Sequence, residues 1–115
     1  GGLAKCGNHV FIYGIISHII FRSLEQIKID ICIPNLSITI IAVGAGLSYG
    51  QDGPTHHGLE DFGIASVLPN LSIYNPSDYT STYQAVKQCY RDKKPSYSAN
   101  LFSRLLIFLF EKLYQ

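Results

Sequence analysis

Methionine and tryptophan are absent from this 115-residue chain, and charge is scarce: Asp, Glu, Lys and Arg together make up 15% of it. Lacking even a start methionine, the chain reads as an internal piece of something longer. The formal net charge of +1 gives no electrostatic case for a nucleic-acid or membrane partner. So little charge also hints that part of the surface is covered by a subunit interface or by the rest of a larger protein. Cysteine is limited to Cys6, Cys32 and Cys89, an odd number, far apart and without a CxxC. That pattern argues against a disulfide framework and a zinc site, and it fits reduced thiols in a cytoplasmic protein. No secretory signal pattern is visible. The apolar run Leu105 to Phe110 is far shorter than the roughly 20 residues that cross a bilayer. Internal repeats and low-complexity tracts are also missing.

What is present suffices for one domain with a core, the hydrophobic fraction being 47%. Gly1 to Cys6 reads as the tail of a helix capped by Gly7-Asn8, so its beginning is expected upstream. Val10 to Ile15 is β-branched and aromatic and predicts a buried strand. From about Ile20 the apolar residues Phe21, Leu24, Ile27 and Ile31 fall at helical spacing, and Pro34-Asn35 ends the run. Ile38 to Val43 has no polar alternation, as expected of a central strand covered on both faces. Leu59, Phe62, Ala65 and Leu68 mark a short helix, and Leu71 to Tyr74 a third strand. Ser77 or Asp78 then caps a helix whose stripe is Tyr79, Tyr83, Val86 and Tyr90. Basic residues from Arg91 to Lys94 suit its C-terminal dipole. A fourth strand is expected over about Ser96 to Leu101, and Leu105 to Tyr114 could be helix or strand. Strand and helix alternate throughout, which predicts an α/β fold: a three-layer sandwich with a mostly parallel sheet.

The stretch Gly44 to Asp61, GAGLSYGQDGPTHHGLED, lies between the central strand and a helix. Loops at such strand ends are where open α/β sheets bind ligands. Four glycines let its backbone turn sharply, and Pro54 stiffens the approach to His56 and His57. His56 with Glu60 could share a cation, but a third ligand at a recognised spacing is missing. The glycine pattern is neither GxxxxGK[ST] nor GxGxxG, so it carries no phosphate-loop signature. Glu60 and Asp61 are expected to stabilise the N-terminus of a helix that His56 and His57 cap. Asp52 and His56 are read instead as functional, because a Gly-Pro turn fixes two complementary polar groups at one strand end.

The run Gln51-Asp52-Gly53-Pro54-Thr55-His56-His57, followed by Glu60-Asp61, Leu68-Pro69-Asn70 and Asn75-Pro76-Ser77-Asp78, resembles the pyrimidine-binding domain of the transketolase family. Arg22-Ser23-Leu24-Glu25-Gln26-Ile27 and Gly2-Leu3-Ala4 resemble two helices of that domain. The likeness covers residues 1 to about 97, with a domain expected over 1–102 and a divergent segment over 103–115. Its DGPTHH form is most like transketolase and 1-deoxyxylulose-5-phosphate synthase, and Ser48-Tyr49-Gly50 leans to the former.

The resemblance implies the thiamine-diphosphate-binding fold. It also implies a cofactor, thiamine diphosphate with Mg, held between this domain and a diphosphate-binding domain or subunit, usually in a dimer. The implied reaction moves a two-carbon ketol unit between sugar phosphates. Asp52 and His56 match the residues that contact sugar hydroxyls, and His18 or Phe21 is the candidate to stack on the pyrimidine. Departures accompany the likeness. The activating glutamate of the family would fall before Gly1, and no GDG…N metal motif is present. Gly44 stands where transketolase has a further substrate histidine, and Ala99 stands where the family has a basic residue. Two readings follow. One is an enzyme fragment that is inactive alone, from a transketolase or a deoxyxylulose-phosphate synthase. The other is a degenerate, non-catalytic interaction module of the same fold.

Overall fold

A computed structural model describes residues 1–100. Helix α1 (Gly2–Lys5) leads to strand β1 (Val10–Ile15). A wide turn of helix at Ser17–Phe21, helix α2 (Leu24–Gln26) and a second wide turn at Ile27–Cys32 follow. Strand β2 (Ile38–Val43), helix α3 (Asp61–Ser66), strand β3 (Ser72–Tyr74), helix α4 (Tyr79–Asp92) and strand β4 (Ser96–Asn100) complete the order. The strands form one sheet in the order β1-β2-β4-β3, and every pairing is parallel. Val10 pairs with Ile38 and Thr39 with Ser96, so strand tips Ile15, Val43 and Asn100 lie at the same edge. The expected α/β architecture with a mostly parallel sheet is therefore present, and β1 and β2 have the bounds their β-branched runs predict. The segment 103–115, Leu101 and the Leu105 to Tyr114 alternatives lie outside the described residues.

All six residues of β2 are buried, as its unbroken apolar run requires. Ile38, Ile40 and Ala42 face the larger core with Tyr97 and Ala99, covered by Ala4, Ile16, Ile20, Ile27, Ile31, Ala65 and Leu68. Ile41 and Val43 face the other side, where Val86 of α4 meets them beside Phe11, Ile15 and Tyr83. Helices thus lie on both faces of the sheet.

Two helical stripes differ from those the sequence predicts. Wide turns place hydrogen bonds five residues apart rather than four, which shifts the inward position by one. Ile20 is fully buried while Phe21 is 39% exposed. In α4 the buried residues are Thr82, Ala85, Val86 and Cys89, whereas Tyr79 and Tyr90 are exposed. Cys89 lies against Ser96 of β4 and Thr39 of β2, so a small side chain fits there and a tyrosine would hold the helix off. Asp78 is the N-cap. Its carboxylate accepts from the Ser81 amide at 2.8 Å, and the Ser81 hydroxyl takes the Asp78 amide at 3.1 Å, a closed capping box. Lys93 ends the helix in the left-handed region at φ 49°.

Candidate functional site

The chain between β2 and α3 is closed at its neck. Gly46 and Gly58 exchange backbone hydrogen bonds, each 2.9 Å long. A pinched neck makes the intervening residues a compact loop with its own shape. Gly58 is a glycine because of its surroundings. A Cβ there would lie 2.7 Å from Ile16 Cγ2 and 3.1 Å from the Gly44 carbonyl oxygen. The loop neck is thereby pressed against the chain leaving β1, and the tips of β1 and β2 share one surface.

Inside the loop a single 3-10 turn, Gly50–Asp52, hands over to Gly53 at φ 78°. The His56 amide then donates to the Gly53 carbonyl at 3.0 Å. Thr55 Oγ1 lies 3.0 Å from His56 Nδ1, which engages that nitrogen and leaves Nε2 to face other groups. The His18 ring, from the wide turn after β1, meets the His56 ring edge-on at 4.9 Å between centroids. The Tyr49 ring also meets His56 edge-on, at 6.3 Å between centroids. Gly44, at φ 87°, lies beneath Tyr49, and a Cβ on it would fall within the ring edge at Cε2 and Cδ2. The position that the resemblance aligns with a family histidine is thus covered by a phenol from five residues on.

Of the four residues singled out in the sequence, the fold brings His18 and His56 together. Asp52 is exposed on the same loop. Phe21 faces an open groove along the helix with Arg22, Leu24, Ile29 and Ile33, and makes no described contact with the two imidazoles. Two further polar atoms lie at the strand tips. Ser17 Oγ and His57 Nε2 are both buried, and among the described residues neither has a hydrogen-bond partner. Buried polar atoms of this kind point to a ligand or water that completes them. No group of three or more His, Cys, Asp or Glu among the described residues is placed to hold a metal ion.

Glu60 and Asp61 stand at the N-terminus of α3, as expected, and Asp61 has a further part in the core. Helix α3 starts at Asp61, and Glu60 is its N-cap residue without a side-chain cap bond. His56 and His57 therefore lie before the cap. Asp61 is 1% exposed and accepts a 2.8 Å hydrogen bond from the hydroxyl of Tyr97 in β4. Burial first, and then the Asp61 carboxylate, push the Tyr97 phenol far above its ordinary value. Helix periodicity puts Leu59 inside, but it is 61% exposed, because the loop neck at Gly58 fixes the direction in which the chain enters the helix.

Residues 2–106 match the transketolase pyrimidine-binding domain family. One subunit of the apulose-4-phosphate transketolase of Phocaeicola vulgatus is 35% identical over 96 residues, 84% of this chain and 31% of that protein. The 1-deoxy-D-xylulose-5-phosphate synthase of Desulfotalea psychrophila is 41% identical over 83 residues, 72% of this chain and 13% of that protein. Among solved structures, a split gene transketolase described as an inactive beta4 tetramer superposes with a TM-score of 0.74 at 30% identity. That superposition covers 85% of this chain and 31% of the other. The chain spans a third or less of the length of the curated relatives it matches. No helix among the described residues is long and apolar enough to cross a membrane.

Proposed function

The chain belongs to the transketolase pyrimidine-binding domain family, and from that premise we propose that it supplies one half of a thiamine-diphosphate cleft. The other half, which holds the diphosphate and Mg, comes from a diphosphate-binding domain or subunit, and the work done is ketol transfer between sugar phosphates. One observation carries the reading: His56 and His18, from two different strand tips, meet at 4.9 Å on the loop rim. Open α/β sheets bind their ligands at such tips.

The residues at the tips fit the coenzyme's pyrimidine end. Ser17 Oγ and His57 Nε2 are buried without described partners, as a polar heterocycle requires of its surroundings. His18 offers a ring face, and Phe21, which lines a different groove, is the less suitable of the two stacking candidates. Thiamine diphosphate, when bound, supplies the carbon nucleophile for ketol transfer. This chain's own part is positioning. His56, its Nδ1 engaged by Thr55, presents Nε2 to a sugar hydroxyl, and Asp52 accepts from another.

Calorimetry tests the half-cleft. The isolated chain should take up thiamine diphosphate and Mg weakly or not at all, and tight binding without a partner overturns the proposal. In the complete enzyme, Asp52→Ala and His56→Ala should lower sugar turnover by 10²-fold or more, on the order of an acid–base or positioning contribution, while coenzyme affinity stays. Equal loss of coenzyme affinity removes the sugar-facing assignment.

A second reading is a non-catalytic module that assembles with itself. The relative described as an inactive beta4 tetramer and the covering of Gly44 by Tyr49 favour it. Light scattering on the chain, followed by addition of a diphosphate-binding partner, separates the two. Activity on mixing belongs to the enzyme fragment, and a self-assembled species indifferent to the partner belongs to the module.

A further inference from the structure

Tyr49 has no part in the sugar contacts proposed above, yet it occupies the most constrained place on the rim. Its ring edge lies directly over the Cα of Gly44, where any Cβ would collide with Cδ2 and Cε2. Gly44 is the first residue after β2 and is held at φ 87°, a conformation that other L-residues adopt only with strain. The floor under the ring is therefore the backbone where the chain leaves β2. The same ring meets His56 at 75° and 6.3 Å, while His18 meets His56 at 72° and 4.9 Å. His56 thus makes edge-on contacts with two rings, Tyr49 and His18. Edge-on ring pairs at such separations are attractive through their quadrupoles.

We propose that Tyr49, seated on Gly44, is a positioning residue that holds the His56 imidazole against His18, and that Gly44 and Tyr49 act as one unit in doing so. The importance of the unit rests on the reading of His56 as sugar-facing, but its existence does not. A ring that is free to swing away would let His56 rotate about its Thr55 contact. A His56 ring in contact with both His18 and a Tyr49 seated on Gly44 keeps Nε2 aimed in one direction before any ligand arrives. The phenyl ring, rather than the hydroxyl, does this.

NMR of the full chain reads the arrangement directly through the histidine ring resonances, with His9, which contacts Phe11 and Tyr90 instead, as the internal control. Tyr49→Ala should move the His56 and His18 ring signals and leave His9 where it is. Gly44→Ala, which drives the phenol off its seat, should move the same two signals in the same direction. The double variant should add nothing further, since partners in one unit are non-additive. Tyr49→Phe should restore the wild-type positions. Additive shifts, unmoved His56 signals in Tyr49→Ala, or failure of Tyr49→Phe to rescue each overturn the proposal. Should Gly44→Ala fail to fold, the contrast between Tyr49→Ala and Tyr49→Phe decides alone. Because no sugar is involved, failure here is distinct from retained turnover in His56→Ala, which would overturn the functional reading instead.

Discussion

A single buried carboxylate shows how much depends on one hydroxyl. Asp61 is 1% exposed and Tyr97 is fully buried, with the phenol donating at 2.8 Å. An Asp deprived of water and left without a donor is costly. Tyr97→Phe should therefore destabilise the domain by about 1–3 kcal/mol, the penalty for an orphaned buried acceptor, as read from the urea midpoint. The raised phenol pKa adds a pH signature. Above the unfolded value of about 10, the unfolded chain releases a proton that the folded chain keeps, so stability falls as pH rises. That alkaline loss should be present in the wild type and diminished in Tyr97→Phe. From sequence, Asp61 looked like one more acid at a helix start. Its partner lies 36 positions away, and only the packing of α3 on the sheet reveals the pair.

At the scale of elements, the glycines separate into those the fold needs and those it merely tolerates. A Cβ on Gly58 would collide with Ile16 and crowd the Gly44 carbonyl, and the Gly58 N–H and C=O make both hydrogen bonds of the loop neck. Gly58→Ala should open that neck, with destabilisation and altered His18 and His56 signals by NMR. Gly63 sits within α3, and a Cβ added there meets nothing within 4 Å. Gly63→Ala should raise stability by about 0.5–1 kcal/mol through helix propensity alone, measured by thermal melting. The elements themselves were largely legible: β1 and β2 fall on their β-branched runs, and the Asp78 cap follows from a short polar residue before a helical pattern. The helix stripes were less so. Ile20 in place of Phe21, and Cys89 in place of Tyr90, reflect wide turns and close helix–sheet approach, neither of which is encoded in apolar spacing.

Across the whole molecule, the two ends of the sheet differ. The rim with its three rings lies at the C-terminal tips. At the other end His9, beside the start of β1, bridges Ser37 at 2.6 Å and Thr39 at 2.9 Å. Thr39 in turn lies 3.5 Å from the Ser96 hydroxyl. Burial first, then the nearby Lys93 charge, hold the His9 pKa below its usual value. The folded chain thus binds fewer protons than the unfolded chain just below about pH 6.5, so this contribution to stability is lost as pH falls through the folded value. Urea midpoints followed from about pH 7.5 to about pH 4.5 should decline in the wild type and decline less in His9→Gln. The His18 and His56 resonances should stay unmoved by that variant, because the sheet's length separates the two ends.

The order of strands and helices, the buried centre at Ile38 to Val43 and the family to which the loop motif belongs were all determined by the sequence. Each depends on residues that are neighbours along the chain, or on a spacing that local geometry enforces. Only the tertiary structure decided that His18 meets His56, that Tyr49 lies on Gly44, and that Asp61 turns inward to Tyr97. Those contacts join residues from separate strand tips or opposite sides of a loop. Their distances follow from how the sheet stacks its strands and how the helices press on it, which no stretch of sequence specifies by itself.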